Sequence, residues 1–330
     1  MEGTTARQTH LEERIEKTPL IRRLVEDELL PRLDWSGPFE LRPVKRGHNL
    51  VYFLNVEGRP KLVVRAGTRR WKFRRRIALH RYLSRRDIPV PEVRVAVAGA
   101  LSRPKHGLFL SAEDRIRGGT ILKTEEPLRL AAHAGELFAR LHGLRHFPRP
   151  LFPEGRSTRG RLGSWLRSRA DARLERFRKI HPNLEELADQ ARAWLDAWPS
   201  RAWCHSPRLC LTDLAKGNVI GTRDRVAIVD LVALRNSSPP HELGRARYQL
   251  LDGREAEWNA FISAYLAVAD PSLAGMVREV FPLTEVLYLL RHMCVPKHSE
   301  DGSLSRRLGL LLDSTPGQPG PGSSEHTSFS

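Results

Sequence analysis

Cysteine is scarce in this sequence of 330 residues: only Cys204, Cys210 and Cys294 occur, and no two stand in a CxxC pair. That excludes a disulfide-stapled scaffold and a cysteine-built metal centre, and it points to a reducing, cytoplasmic setting. Long apolar runs are missing too, so no segment has the length needed to span a bilayer. Met1-Glu2-Gly3-Thr4 does not open the basic-then-apolar pattern of a secretory leader. Internal repeats, zinc-finger spacing and aromatic RNA-binding motifs are absent as well, so nucleic acid as a partner rests on charge alone. Acid is in short supply, with 38 Asp and Glu against 55 Lys and Arg and a formal net charge of +17. A field of that sign repels polycations and draws in polyanions.

What is present is a hydrophobic fraction of 40%, enough over this length to bury a sizeable core and to build two lobes. The most informative stretch is Leu211-Thr212-Asp213-Leu214-Ala215-Lys216-Gly217-Asn218, followed by Val226-Ala227-Ile228-Val229-Asp230. Taken singly, Asp213 reads as a turn cap, Asn218 as a left-handed turn residue beside Gly217, and Asp230 as the end of a strand. Together they place an Asn five residues after an Asp, and a second Asp twelve residues later at the end of an apolar run. Phosphoryl-transfer sites use this spacing: the first Asp orients the attacking hydroxyl or takes its proton, and the Asn and second Asp hold the metal ions on the nucleotide phosphates.

The stretch resembles the aminoglycoside phosphotransferase and choline kinase branch of the protein-kinase-like superfamily, whose motif runs roughly His-Gly-Asp-Leu-His-x-x-Asn and then Ile-Asp-Phe. The resemblance implies an α+β, bilobal kinase-like fold with ATP and Mg2+ as cofactors. It makes Asp213 the catalytic residue and Asn218 and Asp230 the metal ligands. Leu211-Thr212 replace the family's His-Gly, Ala215 replaces its His, and Leu231-Val232 replace Phe-Gly, so the residues that usually support the loop by hydrogen bonds are missing.

Upstream, Arg46-Gly47-His48-Asn49-Leu50-Val51-Tyr52 resembles the family's nucleotide loop, in which Gly47 permits close backbone approach to phosphate and Asn49 precedes a strand. Lys61-Leu62-Val63-Val64-Arg65 reads as a buried strand ending in a cation, at the place of the family's phosphate-touching Lys or Arg. Ile88-Pro89-Val90-Pro91-Glu92-Val93 resembles the family's extended connector, since prolines at alternate positions rule out helix. Leu108-Phe109-Leu110 and then Arg115 to Ile121 resemble the inter-lobe hinge and its Gly-Gly turn. A helix follows: Thr124 is expected to cap it, Pro127 suits its first turn, and Leu130, Ala134, Leu137, Phe138 and Leu141 form one apolar stripe. His142 at its end reads as a buried or capping residue, and Glu242, in Pro239-Pro240-His241-Glu242-Leu243, as a structural brace. The tryptophans Trp165, Trp194, Trp198 and Trp203, with Phe177, read as core.

These readings divide the chain into an N-terminal helical extension (1–37), an N-lobe for the nucleotide (38–111), a C-lobe for catalysis and the acceptor (112–312) and a Pro-, Gly- and Ser-rich disordered tail (313–330). The extension carries an amphipathic pattern at Leu20, Ile21, Leu24, Leu29 and Leu30, suited to packing on the N-lobe.

The charge is unevenly spread. Eleven Lys or Arg and no acid lie between Lys61 and Arg86, and a second basic group runs from Arg156 to Lys179, broken only by Asp171 and Glu175. One reading is a pair of solvated helix faces. The other is recognition of an acidic partner: an anionic acceptor, an anionic membrane surface contacted from the cytoplasmic side, or nucleic acid. Either way, a polycationic aminoglycoside is disfavoured as acceptor. At the helix position where an active kinase places the Glu that pairs with its phosphate-binding cation, this chain has Arg76. Either another carboxylate orients Arg65, with Glu57 and Glu92 as candidates, or the ion pair is absent and the nucleotide site is altered. Two functions follow: a phosphotransferase acting on a hydroxyl of a small molecule or an anionic lipid or sugar headgroup, or a pseudokinase-type binding protein that uses its basic face. Retention of Asp213, Asn218 and Asp230 together favours the enzyme.

Overall fold

The computed structural model describes residues 18–44, 50–98, 108–144, 159–295, 302–314 and 316. Gly47 and Asn49 lie outside the described residues, as do the start of the N-terminal extension and the tail from 317. The chain forms two compact units, one of Met1–Gly119 with Ile220–Val232, the other of Thr120–Val219 with Ala233–Ser330. As expected for an α+β chain, the N-terminal part carries a five-stranded antiparallel sheet and the C-terminal part is helical.

In the first unit the strands β1 (Phe39–Pro43), β2 (Leu50–Val56), β3 (Leu62–Gly67), β4 (Val93–Ala98) and β5 (Phe109–Asp114) assemble in the order β1-β2-β3-β5-β4. β3 and β5 are therefore hydrogen-bonded neighbours although α2 (Arg70–Ser84) and β4 intervene in sequence. Strand periodicity sorts the side chains. Leu62, Val64, Leu110 and Ala112 join Tyr52 and Leu54 on one face, which is covered by Ile21, Leu24, Val25, Leu29 and Leu30 of the helical segment α1 (18–32). The amphipathic pattern of the extension thus packs where it was expected, with Leu20 left exposed. Arg65, Ser111 and Glu113 have the opposite parity. β3 continues two residues past Arg65, so this cation sits within the strand and not at its end.

The connector from Ile88 to Glu92 is extended, and its Pro89 carbonyl accepts from the Ile228 amide at 3.0 Å. Gly119 and Gly221 exchange both backbone hydrogen bonds, at 3.1 and 2.9 Å, and a Cβ on Gly118 would collide with the Gly221 carbonyl. The Gly-Gly pair is therefore a close backbone approach that tolerates no side chain at its first position.

The second unit is built from α3 (Pro127–Gly143), α4 (Arg159–Ile180), α5 (Glu185–Asp196), α6 (Pro239–Arg245), α7 (Glu255–Val268), α8 (Pro271–Met293) and α9 (Gly302–Leu312), with the short strands β6 (Arg208–Leu211) and β7 (Leu234–Ser237) paired antiparallel. α3 buries the expected stripe and starts at Pro127, but Thr124 does not cap it. Its hydroxyl instead donates to the Ile121 carbonyl at 2.6 Å, closing the turn before the helix. At Gly135 the helix meets α7 so closely that a Cβ would strike the Phe261 carbonyl. Phe177, Trp194, Trp198 and Trp203 are buried with α8 residues Leu283, Val286 and Leu287, and Trp165 packs at the edge of this cluster, so these aromatics are core.

Candidate active site

β6 ends at Leu211, and the next residues form the loop that carries Asp213. The loop is internally hydrogen-bonded: the Ala215 amide donates to Asp213 Oδ1 (3.2 Å), the Asn218 amide to the Ala215 carbonyl (2.7 Å), and Asn218 Nδ2 to the Asp213 carbonyl (3.1 Å). The Asp213 carboxylate is exposed. Asn218 spends its side-chain nitrogen on the loop, which leaves its amide oxygen as the atom suited to a hard cation.

The support that the missing His-Gly would have given comes from elsewhere, which corrects the expectation of an unsupported loop. Thr212 donates to the Ala233 carbonyl through its amide (3.0 Å) and its hydroxyl (2.7 Å). Arg245 donates to the Thr212 carbonyl, and Glu242 Oε1 accepts from the Leu211 amide at 2.8 Å. Glu242 Oε2 meets His142 Nε2 at 2.9 Å, and His142 Nδ1 meets the Tyr265 hydroxyl at 2.8 Å. One tautomer satisfies the chain: His142 donates from Nε2 to Glu242 and accepts from Tyr265 at Nδ1. His142 and Glu242 thus have the structural places read from the sequence. Cys210 lies with them, forming a trio whose donor atoms are within 4.8 Å of one another. Burial and then the Glu242 carboxylate hold the Cys210 thiol well above its ordinary pKa, so the trio offers no thiolate and acts as a brace.

In the first unit Arg65 has a carboxylate partner that the sequence reading missed. Arg65 Nε donates to Glu113 Oε2 at 3.1 Å, and Arg76 Nε lies 3.3 Å from Glu113 Oε1. Neither Glu57 nor Glu92 takes part: Glu57 is exposed, and Glu92 pairs with Arg94 at 3.2 Å. The pairing follows from register. Arg65 stands opposite Ser111 and Val63 opposite Glu113, so Glu113 is the diagonal cross-strand neighbour of Arg65 on the same face. α2 brings Arg76 and His80, spaced i,i+4, over that face. The Glu113 side chain is 1% exposed and those of Arg65 and Arg76 are each 12% exposed. Burial alone would raise the Glu113 carboxyl, but Arg65 and then Arg76 outweigh it and hold the group below the usual carboxylate range. Burial pushes His80 down, so it stays a neutral imidazole and donates from Nδ1 to the Pro91 carbonyl (2.9 Å).

Arg65 also donates to the Val229 carbonyl at 2.9 Å, directly before Asp230. The Asp230 carboxylate accepts from the Val232 amide (3.2 Å) and acts electrostatically on Arg76. Arg65 and Asp230, chosen from sequence far apart, are thus brought together. The signal for Glu113 was weak: one acid sharing parity with Ser111 in an otherwise apolar strand.

The basic blocks are not uniform solvated faces. On α2, Arg70, Arg74 and Arg81 are exposed, whereas Arg75 is buried and Arg76 is committed to Glu113. On α4, Arg167 and Arg169 lie over the rings of Trp203 and Trp165, and Arg173 is buried.

A cavity of about 760 Å³ opens beside the Asp213 loop in the second unit, lined among others by Asp213, Lys216, Arg247, Asp252, His292 and Arg307. Its charged walls are paired: Lys216 with Asp252, Arg247 with Glu255 at 2.5 Å and Glu285 at 3.1 Å, and Arg307 with Glu285 at 3.3 Å.

Residues 40–277 match the model of the phosphotransferase enzyme family described as APH. The chain belongs to that family. No curated protein matches it. Solved structures with the same fold include the GDP and kanamycin complex of the aminoglycoside phosphotransferase APH(2")-IIIa, at 14% identity and a TM-score of 0.53 over 86% of this chain and 95% of that one. A macrolide 2'-phosphotransferase of type I matches at 16% identity and 0.52 over 90% and 98%. A thermostable mutant of APH(4)-Ia matches at 16% and 0.52 over 86% and 97%. Family membership makes the chain a kinase-type phosphotransferase with the protein-kinase-like fold read from its motif. Among the described residues no helix is long and apolar enough to cross a membrane.

Proposed function

We propose that this phosphotransferase uses ATP and Mg2+ and transfers the γ-phosphoryl group to a hydroxyl of a small-molecule acceptor that enters the cavity beside Asp213. Asp213 orients the acceptor hydroxyl and takes its proton as oxygen attacks phosphorus and the bond to ADP breaks. Arg65 binds nucleotide phosphate, and Gly47 and Asn49 belong to the nucleotide loop. The Asn218 amide oxygen and the Asp230 carboxylate are hard oxygen donors of the kind magnesium takes, and they are assigned as its ligands. When bound, the ion neutralises charge on the β- and γ-phosphates. The observation that carries this reading is the buried Arg65–Glu113 pair. It supplies from β5 the carboxylate that kinases place on the first helix, and its cation is tied to the carbonyl preceding Asp230. A binding scaffold has no need of that arrangement together with Asp213 and Asn218.

Calorimetry of ATP binding with and without magnesium, in wild type and Asp230→Ala, tests it. Magnesium is expected to tighten binding in the wild type and to have no effect in the variant; equal affinities in all conditions would remove the metal-ligand assignment. A turnover screen over sugars, amino alcohols, nucleosides and lipid headgroups then names the acceptor. One observation favours an additional peripheral contact with an anionic membrane surface: Trp71 is 46% exposed on α2 between the exposed Arg70 and Arg74.

A further inference from the structure

Three helices of the second unit contribute side chains to the same place, two of them with residues one turn apart. α4 offers Trp165, Arg169 and Arg173, α6 offers His241 and Arg245, and α8 offers Arg291. The helices are fixed at this point by contacts independent of the charges. The Trp165 and His241 rings meet edge to face with centroids 5.4 Å apart, and the Thr284 hydroxyl donates to the Pro240 carbonyl at 2.9 Å. Arg173 Nη1 reaches the Leu287 carbonyl at 2.8 Å. Arg173 is 7% exposed and His241 3%.

The cluster leaves buried polar atoms without a protein partner. Arg173 Nη2, Arg245 Nε and both ring nitrogens of His241 are buried and have no hydrogen-bond partner among the described residues. Buried polar groups are ordinarily satisfied, so four such atoms on neighbouring side chains call for a ligand. The charges acting on His241 are those of Arg173, Arg245, Arg291 and Arg169, all of one sign. Burial and then Arg291, Arg245 and Arg169 push Arg173 down to about 9. Glu242 acts on Arg245, but its two oxygens already serve Leu211 and His142. Arg169 and Arg291 reach solvent while Arg173 is buried and Arg245 partly so, and an anion of more than one charge held among them would balance the two inner guanidiniums. Arginine's planar donors suit the oxygens of a phosphate, and a phosphate monoester carries nearly two charges at neutral pH. Arg245 meanwhile donates to the carbonyl of Thr212, next to Asp213.

We propose that Arg169, Arg173, His241, Arg245 and Arg291 form a binding site for a phosphate monoester, which, resting on the phosphotransferase reading, is the phosphate already carried by the acceptor whose hydroxyl Asp213 addresses. The acceptor class is then a phosphorylated alcohol.

The test uses the full chain at low ionic strength without nucleotide. Titration calorimetry with inorganic phosphate is expected to show saturable binding at one site, and glycerol 3-phosphate should compete. Arg291→Gln, an exposed position, and Arg173→Gln should each weaken phosphate by about tenfold or more, the effect of losing one charged hydrogen-bonding group, while Mg-ATP affinity stays unchanged. If Arg173→Gln fails to fold, Arg291→Gln carries the measurement alone. Asp213→Asn should leave phosphate binding intact. No saturable binding by the folded wild type, or wild-type affinity in the folded arginine variants, overturns the site. Binding of inorganic phosphate that glycerol 3-phosphate cannot displace overturns the monoester assignment. In turnover, phosphorylated alcohols should show a lower KM than their unphosphorylated counterparts, and Arg291→Gln should abolish the difference; equal KM values overturn the acceptor role. Loss of Mg-ATP binding with phosphate binding retained would instead count against the phosphotransferase reading, so the two failures are distinguishable.

Discussion

Glu113→Gln removes one negative charge from a site where two guanidiniums lie within 3.3 Å of it. Glutamine keeps the volume and one oxygen acceptor, so the perturbation is electrostatic. Arg65 and Arg76 are largely withdrawn from water and lose their shared counter-charge, and removal of one partner from a buried ion pair costs about 3–5 kcal/mol. The residual exposure of both arginines and the Asp230 carboxylate acting on Arg76 place the expected loss at the lower end of that range. Urea unfolding followed by far-UV circular dichroism reads it as a lower midpoint with unchanged slope. The pH dependence gives a second check. The Glu113 carboxyl is held below its ordinary pKa in the folded protein, so its contribution is complete above the unfolded carboxylate pKa and is lost as pH falls through the folded value. Wild type should therefore shed stability on that acid limb, and Glu113→Gln should show a flatter one. Calorimetry should also show weaker ATP binding in the variant, because Arg65 is no longer held. A variant within about 1 kcal/mol of wild type, a scale typical of surface pairs, with unchanged ATP affinity would refute the claim that this pair is the kinase ion pair relocated to β5.

Asp213→Asn should bind Mg-ATP as wild type does while turnover falls by about 10²–10⁴-fold, the usual contribution of a positioned acid or base; wild-type turnover would remove Asp213 from the catalytic role. Gly135→Ala should destabilise the second unit by about 1–3 kcal/mol through the clash with the Phe261 carbonyl, and a thermal midpoint equal to wild type would deny that close approach. Replacing Arg70, Arg74 and Arg81 by Gln should leave folding intact and lower the salt dependence of binding to anionic vesicles. Arg75 is excluded from that set because it is buried. Vesicle co-sedimentation and gel shift with nucleic acid, at low and physiological salt, separate the partners, and no binding to either at low salt leaves the exposed face of α2 without a recognition role.

The readings that survived unchanged are those with a local or periodic basis. The proline-alternating connector, the apolar stripe of α3 and the amphipathic extension all follow from neighbours in sequence. Misreadings arose where a distant group intervened. Thr124 satisfies the turn before its helix instead of the helix itself. Loop support passed from the missing His-Gly to Glu242 and Arg245, whose contacts with the loop span 31 and 33 residues.

By itself the sequence determined the family and the α+β class, because short motifs and hydrophobic periods are one-dimensional properties of the chain. It also determined the excess of positive charge, though not where that charge acts. Tertiary structure decided which carboxylate holds Arg65, since Glu113 lies 48 residues away and becomes its neighbour only through the β3–β5 pairing. It decided likewise which arginines face solvent and which converge, because each helix fixes only its own one-turn spacing, and the meeting of α4, α6 and α8 is set by packing.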